Sequence, residues 1–567
     1  MSSKPTISSM SLKTTEVRRR IHALGFAALL CSASALHGQT RDTLPGSGIL
    51  TRLPLVGSPA EDRARLGQLL GRGTTDGFLI RSPSSRLGAL EGSGPVRWSL
   101  FAPQVDAGWN STLPFSLNQG ALWSGKGSSA QVTLGGRVEA GPVSLVLAPQ
   151  LTYAENQDFQ TIAPGDLGMS AFAAPWYVGR HSADVPLRFG NRPLVLLHPG
   201  QSTLAYTTHR VVAGVSTESQ WWGPGIRNAI VMSSNAEGFP HFFLRTESPV
   251  RTRFGALEGK LIVGGLSESL FFDTVSTNDV RSLSGFVATF RPAAAPGMTV
   301  GVSRVVYAAV DRAGQVPTHA FDVLTRWDHP QPPVRAVAPG DSTGRDSVLV
   351  WPDAPQREQL FSVFGRWVLP ADGVEVYAEW ARTELPSSLV DMLNQPNHTQ
   401  GYTLGLQWAK PVRRDDLLRL QTEVTYLEES TTFNNRPVQG YYVSATIPQG
   451  YTNRGKVIGA AIGPGASSQW IAGDYVARGW QLGVFGGRVR WNDDVYYDKP
   501  GRSYVAHDVS VFGGVRGGVR VWRVDAEVEY GGERRYNYLF QNPEVEPDGK
   551  FAVDKWNRSL RLVLSPR

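Results

Sequence analysis

From about residue 97 to the C-terminus, apolar and polar residues alternate with a period of two, in runs broken by Gly, Pro, Asn and Asp. Successive side chains of a β-strand point to opposite faces, so this pattern restricts most of the chain to half-buried strands. In Val374 to Trp380, the apolar Val374, Val376, Ala378 and Trp380 alternate with Glu375, Tyr377 and Glu379. In Tyr402 to Trp408, Tyr402, Leu404, Leu406 and Trp408 point one way and Thr403, Gly405 and Gln407 the other. Alternation alone fits two structures. A soluble sandwich would bury the apolar face, whereas a membrane barrel would turn it to lipid and line its lumen with the polar face.

Two features favour the membrane. Aromatic residues recur at the ends of the expected strands, at Tyr402, Trp408, Trp480, Trp491, Trp522, Tyr530 and Trp556, as an interfacial girdle would place them. The last segment, Trp556 to Leu564, reads as a closing strand with Leu560, Leu562 and Leu564 on one face. It departs from the usual pattern of bacterial barrels by ending Leu564-Ser565-Pro566-Arg567 and not in an aromatic residue.

Composition agrees. A soluble chain of 567 residues would usually divide into several domains, while a large barrel is one unit of this size. Its 61 glycines and mean hydropathy of -0.20 suit a fold in which only alternate residues meet lipid. Beyond the N-terminus no run of about 20 apolar residues occurs, which fits a helical membrane protein badly.

The N-terminus reads as a secretory signal over residues 1–38. Arg18-Arg19-Arg20 is basic, Ala23 to Leu30 is apolar, and Ala33-Ser34-Ala35 or Gly38 before Gln39 offers a cleavage site, with Met10 an alternative start. The competing reading is a short membrane anchor. The one cysteine, Cys31, lies in this segment after Leu30, where a lipoprotein would need a small residue. A mature chain without cysteine suits an exported protein that does not rely on disulfides. Residues 39–95 are expected to hold a linker and a small helical plug segment. Ser58 caps that helix, Pro59 fits its first turn, Leu66, Leu69 and Leu70 form one face, and Gly71 or Gly73 ends it. Packing at the periplasmic end of a barrel over residues 96–567 is the expectation. Long loops are expected from His329 to Gln356, on the extracellular side, and from Glu384 to His398, with a helical turn at Leu389, Met392 and Leu393.

Residues Gln220 to Pro240 read QWWGPGIRNAIVMSSNAEGFP. In an extended chain Trp221 and Trp222 face opposite ways, so that one can anchor in the wall while the other stacks on a sugar ring. Asn228, Ser233, Ser234 and Asn235 can satisfy sugar hydroxyls. Gly223-Pro224-Gly225 forces a tight bend. The alternative is that these residues only shape a barrel turn. In a predicted C-terminal hairpin, Val509, Val511, Val515, Val519 and Val521 face lipid while Arg516 and Arg520 face inward. On the return, Val524, Ala526, Val528 and Tyr530 face out, and Asp525, Glu527 and Glu529 face in. Basic residues then stand beside acidic ones across the strands. That network is either a charged, sugar-binding wall or structural pairing of the lumen.

Enzyme chemistry finds no support in the motifs. Gly-x-Ser-x-Gly, His-Glu-x-x-His, a P-loop and a cysteine pair are all absent from the sequence. Glu428-Glu429 and Asp493-Asp494 read as solvated loop charge. Asp493, Asp494 and Asp498 lack the spacing of a defined Ca²⁺ site, so neither a metal nor a cofactor is expected. The 56 basic against 49 acidic residues give a net charge of +7, but the basic residues are scattered along strands and form no nucleic-acid patch. Such a charge suits acidic polysaccharides or lipopolysaccharide phosphates.

The Gln220–Pro240 block resembles the core motif of the Wzi family of capsule-assembly outer-membrane proteins. Weaker segments fall in the family's order: Gly120 to Gly127, Leu147 to Gln150, Pro199 to Ser202, Gly264 to Ser269, Gly297 to Arg304, and Gly455 to Gly465. The likeness spans about residues 95–567. It implies an 18-stranded barrel with a periplasmic helical plug, reached by export and the barrel-assembly machinery. It also implies a non-enzymatic, lectin-like role in which capsular or other surface polysaccharide is held at the outer face. A channel for small solutes is the alternative.

Overall fold

A computed structural model describes residues 51–566, apart from 89, 91–93, 165–167, 178–180, 329–333, 338–346, 351–356, 414–415, 431, 433–437, 499–506 and 542–552. The expected signal segment, including Cys31, lies outside the described residues.

The chain forms a closed antiparallel barrel of 18 strands. They are β1 (Val96–Asn110), β2 (Gly127–Ala140), β3 (Val143–Leu147 and Gln150–Ala154), β4 (Leu194–His198 and Thr203–Thr207), β5 (Val211–Ser216) and β6 (His241–Thr246 and Val250–Thr252). β7 (Gly255–Ser267), β8 (Val280–Pro292), β9 (Met298–Val310), β10 (Arg357–Leu369), β11 (Val374–Arg382) and β12 (Gln400–Pro411) continue the wall. β13 (Leu417–Tyr426), β14 (Ser467–Ala477), β15 (Trp480–Trp491), β16 (Asp508–Val521), β17 (Val524–Tyr536) and β18 (Lys555–Pro566) complete it. β18 pairs with β1 from Leu564 opposite Val105 to Ser559 opposite Asn110, which closes the barrel. Closure removes the open sheet edges that neither lipid nor water could safely cover.

The two ends differ. At one, strands are joined by turns such as 478–479 and 522–523; at the other, by long connections such as 155–193, 217–240 and 427–466. The expected loop over 329–356 belongs to the long-loop end, and its described part is a small ladder pairing Val334–Val337 with Ser347–Val350. The loop over 384–398 holds the expected turn, Leu389–Asn394, capped by Ser388.

The period-two pattern sorts as a membrane wall requires. Val511, Val515, Val519, Val521, Val528 and Tyr530 lie exposed on the outside, whereas Glu375, Tyr377, Glu379, Thr403 and Gln407 are buried inside. An exterior this apolar is a hydrocarbon-facing surface. The girdle is only partly as expected. Trp480, Trp522 and Trp556 are exposed at or beside strand ends, but Tyr530 sits mid-strand. Trp491 turns inward, where Nε1 donates to Ser510 Oγ at 2.8 Å.

The interior is not an open pore. Helix α1 (Pro59–Leu69) starts at Ser58, whose Oγ accepts from Glu61 N at 3.4 Å. At the short-turn end Leu66 and Leu69 pack on Val368 and Ala409. Arg65 and Arg366 clamp Glu375 of β11 from two sides, with Arg65 Nε to Oε1 at 2.9 Å and Arg366 Nη2 to Oε2 at 2.8 Å. Arg419 of β13 grips Asp62 at 2.6 and 2.5 Å. From the other end, residues 217–240 and 427–466 fold inward and bury Trp222, Ile230, Tyr442, Tyr451 and Ile458 against wall residues such as Ile262, Leu283 and Phe364.

Removing one partner of a buried charge cluster leaves the others uncompensated, which costs about 3–5 kcal/mol. Glu375→Ala, which strands Arg65 and Arg366, is expected to lower stability on that scale in thermal unfolding of the micelle-held barrel; an unchanged melting curve would remove Glu375 as an anchor. Asp62 gives a pH signature. Burial inside the barrel pushes its carboxyl up, but Arg419, then Arg516 and Arg65, outweigh this and hold it at about 2, although it is 39% exposed to the lumen. A depressed carboxylate contributes stability that is complete above its ordinary value and lost as pH falls through the folded value. The stability difference between wild type and Asp62→Asn is therefore expected to be full above about pH 4 and to close as the pH approaches about 2.

Candidate functional site

Gly-Pro-Gly makes the bend that lets residues 217–240 enter the lumen. Gly223 has φ +103°, and a Cβ on Gly225 would lie 2.0 Å from the Asn228 carbonyl oxygen. Backbone turned into a barrel must find partners for its N–H groups. Glu423 of β13 supplies them: Ile226 N donates at 2.6 Å, Arg227 N at 3.2 Å and Asn228 N at 2.9 Å. Tyr377 OH donates to the same carboxylate at 2.8 Å. Trp221–Trp222 pairs in turn with Ile80–Arg81, so the loop and the N-terminal plug form one two-stranded ladder inside the barrel.

The two tryptophans do face opposite ways, and both are closed to solvent. Trp222 is 0% exposed within the apolar core. Trp221 is 1% exposed, lies under the Arg81 guanidinium at 4.8 Å, and lines the lumenal crevice described below. The polar residues of the block are occupied by the protein itself. Asn228 Nδ2 donates to Ser468 Oγ at 3.3 Å, Ser234 Oγ to Asn118 O at 3.5 Å, and Asn235 Nδ2 to Val457 O at 2.8 Å. Only Asn235 borders a cleft at the long-loop face.

That cleft, of about 230 Å³, is built by six connections and the rims of β15 and β17. Aromatic residues dominate it: Phe115, Trp123, Phe159, Trp176, Tyr177, Phe189, Trp491 and Tyr538. Trp123 and Phe189 are half-buried, with ring centroids 4.7 Å apart, and Trp123 Nε1 donates to Asn156 Oδ1 at 3.1 Å. Trp176 is almost fully buried, with its ring edge-on to Tyr177 and Phe540. Polar groups interleave the rings. Arg535 is held by Asp508 at 2.7 Å through two nitrogens while it lies over Trp491 and Tyr538. Lys456 Nζ donates to Gly120 O at 2.8 Å and Leu122 O at 2.6 Å, and burial pulls its pKa down to about 8. Rings with charged and amide groups between them suit the alternating C–H faces and hydroxyl edges of a sugar.

The lumenal charges pair differently from the expectation. The register sets Arg516 opposite Glu529 and Arg520 opposite Asp525. Arg516, however, forms its bidentate pair with Asp474 of β14, at 2.7 and 2.6 Å. Gly483 on the intervening β15 makes room, since a Cβ there would lie 2.1 Å from Asp474 Oδ1. Asp525 takes Arg52 at 3.2 Å and Arg63 at 2.5 Å, and Arg63 reaches Glu527 at 3.0 Å. Arg520, largely exposed, comes only within 3.7 Å of Asp525. The plug arginines are the missing partners, and only long-range packing could have shown this.

The loop acids are also corrected. Glu428, Asp493 and Asp494 are buried, not solvated. Glu428 pairs with Arg490, Asp493 with His507 at 2.5 Å, and Asp494 Oδ1 accepts from Glu429 N at 2.8 Å. They staple the 427–466 and 492–507 connections together.

Fold and interior define a plugged 18-strand barrel that resembles bacterial outer-membrane proteins. No family model matches the chain, and no curated protein matches it in sequence. Among solved structures it is similar in fold to Wzi, an outer-membrane protein involved in group 1 capsule assembly in Escherichia coli and a carbohydrate-binding β-barrel. That likeness has 10% identity, covers 82% of this chain and 84% of that one, and has a TM-score of 0.50. The chain also aligns with OccK2 (OpdF) of Pseudomonas aeruginosa, at 10% identity over 82% of this chain and 96% of that chain, TM-score 0.35. The outer-membrane channel DcaP of Acinetobacter baumannii aligns at 8% identity over 85% and 99%, TM-score 0.34.

Gly225→Ala tests the bend. The added methyl has no room, so a loss of about 1–3 kcal/mol is expected, together with new protease cleavage within residues 217–240. Unaltered melting and protection would show that the bend tolerates a side chain.

Proposed function

We propose that this protein is an outer-membrane barrel that binds surface or capsular polysaccharide and anchors it to the cell, without catalysis. The observation that carries the reading is the aromatic cleft at the long-loop face, above a lumen occupied by α1 and by inward-folded loops. Long loops of bacterial barrels face the outside and short turns the periplasm, which puts the cleft outward and the plug inward. The fold similarity to a carbohydrate-binding barrel supports the same reading. Binding then falls to Trp123 and Phe189, with Arg535 and Asn235 at the polar edges. Trp221, Trp222, Asn228 and Ser234 hold the loop from which Asn235 borders the cleft. Lipopolysaccharide would surround the wall as solvent, and no nucleic acid is involved.

Deletion of the gene is expected to move polymer from cells to medium with the total unchanged. Trp123→Ala combined with Phe189→Ala should reproduce this and weaken binding of the isolated polymer to purified barrel at least tenfold, with melting preserved. A polymer distribution that stays on the cells, accompanied by reduced uptake of small solutes and ion conductance in planar bilayers, would replace the anchor with a channel.

A further inference from the structure

Beneath the loop cap lies a second, separate cavity between the plug and the walls of β1–β2 and β13–β18. It has three lobes, of about 190, 90 and 190 Å³, which share Gly57 and Arg561 in their linings. Together they reach the size of a small-ligand cleft, about 300 Å³ or more.

Its polar groups are unevenly matched. Arg561 is bidentate to Asp106 at 3.0 and 2.7 Å, as Arg516 is to Asp474. Arg227 lines the same lobe but is different. Its guanidinium lies over Trp470 at 4.9 Å and Phe512 at 5.9 Å, and among the described residues it forms no ion pair or side-chain hydrogen bond. Glu529 is the one carboxylate lining this lobe among the described residues, and it acts on Arg227 only through its field. Trp221 and Trp470, 1% and 5% exposed, line the lobe as well, and both indole N–H groups are without an acceptor. Arg227 is half-buried, so its unmatched guanidinium opens onto the lobe, while both indole N–H groups are closed off; an occupant would meet a cation that lacks a carboxylate partner. The adjoining lobe has another character. Gln104, Gln119, Gln131, Gln150 and Gln201 line it, and Gln131 Oε1, on a residue 9% exposed, has no donor. Amides of this kind read hydroxyl groups, since each offers both a donor and an acceptor.

We propose that this crevice binds an acidic sugar unit, a hydroxylated ring bearing one carboxylate. Arg227 takes the carboxylate, the faces of Trp221 and Trp470 bound the ring, and the glutamine lobe takes the hydroxyls. Because the cavity shares only Phe115 with the lining of the outer cleft, it is a second site and does not depend on the anchoring role.

The test uses the purified full-length barrel in detergent, titrated with glucuronate, glucose and acetate by tryptophan fluorescence and calorimetry. Saturable glucuronate binding is expected, with glucose and acetate each at least tenfold weaker. Arg227→Gln should weaken glucuronate at least tenfold, and Arg227→Lys less. Trp123→Ala with Phe189→Ala should leave it unchanged even where polymer binding is lost. Should Arg227→Gln not melt as a folded barrel, Gln131→Glu is read in its place; its like charge must weaken glucuronate and spare glucose. No saturable binding, meaning a crevice filled by water alone, would overturn the proposal. So would acetate binding as tightly as glucuronate, or affinity that ignores both Arg227 and Gln131. Polymer anchoring that persists in Trp123→Ala with Phe189→Ala, with intact glucuronate binding, would instead defeat only the outer-cleft reading.

Discussion

Three buried carboxylates on the wall, Glu375 and Glu379 of β11 and Glu423 of β13, receive both the plug and the inward-folded loop. Glu375 receives the plug through Arg65, Glu423 receives the backbone after Gly-Pro-Gly, and Glu379 accepts from Ile230 N at 3.2 Å. A strand pair buried in lipid can satisfy its own backbone by its ladders, but a loop or helix placed in the lumen cannot rely on bulk water to do so. The wall must provide acceptors at the right height, and a carboxylate with several acceptor sites does this for consecutive N–H groups at once. Arginine is the matching choice on the plug side, because its fork can serve a carboxylate and a carbonyl together: Arg65 also donates to Pro224 O at 2.7 Å.

This arrangement divides the interior. On the side of β5 to β11 the lumen is filled by apolar side chains from wall and loops, packed like the core of a soluble protein. On the side of β13 to β18 and β1 it stays polar, with the lobes of the crevice between paired charges. The long-loop face inherits its rigidity from that filled half. The 427–466 connection is tied to the 217–240 loop by Tyr442 OH to Ile230 O at 2.7 Å and Tyr451 OH to Val231 O at 2.9 Å. A cleft assembled from loops so anchored is preorganised, which a free surface loop is not.

How far the fold was legible follows from the range of each signal. The alternation in Val374–Trp380 gave the correct faces for every residue, because side-chain direction in a strand depends only on parity. The hairpin of Arg516 and Asp525 was legible in register but not in pairing. Which carboxylate an arginine reaches depends on Gly483 being bare and on Arg63 arriving from a segment several hundred residues away in sequence. The Trp221–Trp222 block was conspicuous for a sound reason, since large rings beside Gly-Pro-Gly mark a constrained place. Its burial was invisible, however, because nothing local distinguishes a loop that folds inward from one that reaches out. The same blindness made Asp493 and Asp494 look solvated.

By itself the sequence determined the alternating faces of strands such as Val374–Trp380 and Tyr402–Trp408, the capped helix at Ser58 and the closing strand at Trp556–Leu564. All of these rest on interactions between residues near in sequence or on a simple period. Only the tertiary structure decided that the lumen is occupied, that the conspicuous tryptophans are internal, and that an aromatic cleft forms from Trp123, Phe189, Trp176 and Tyr538. Those residues come from three connections, each with no periodicity of its own. Closing the barrel brings their loops to one rim, and the fixed distances around that rim, not any local preference, make them neighbours.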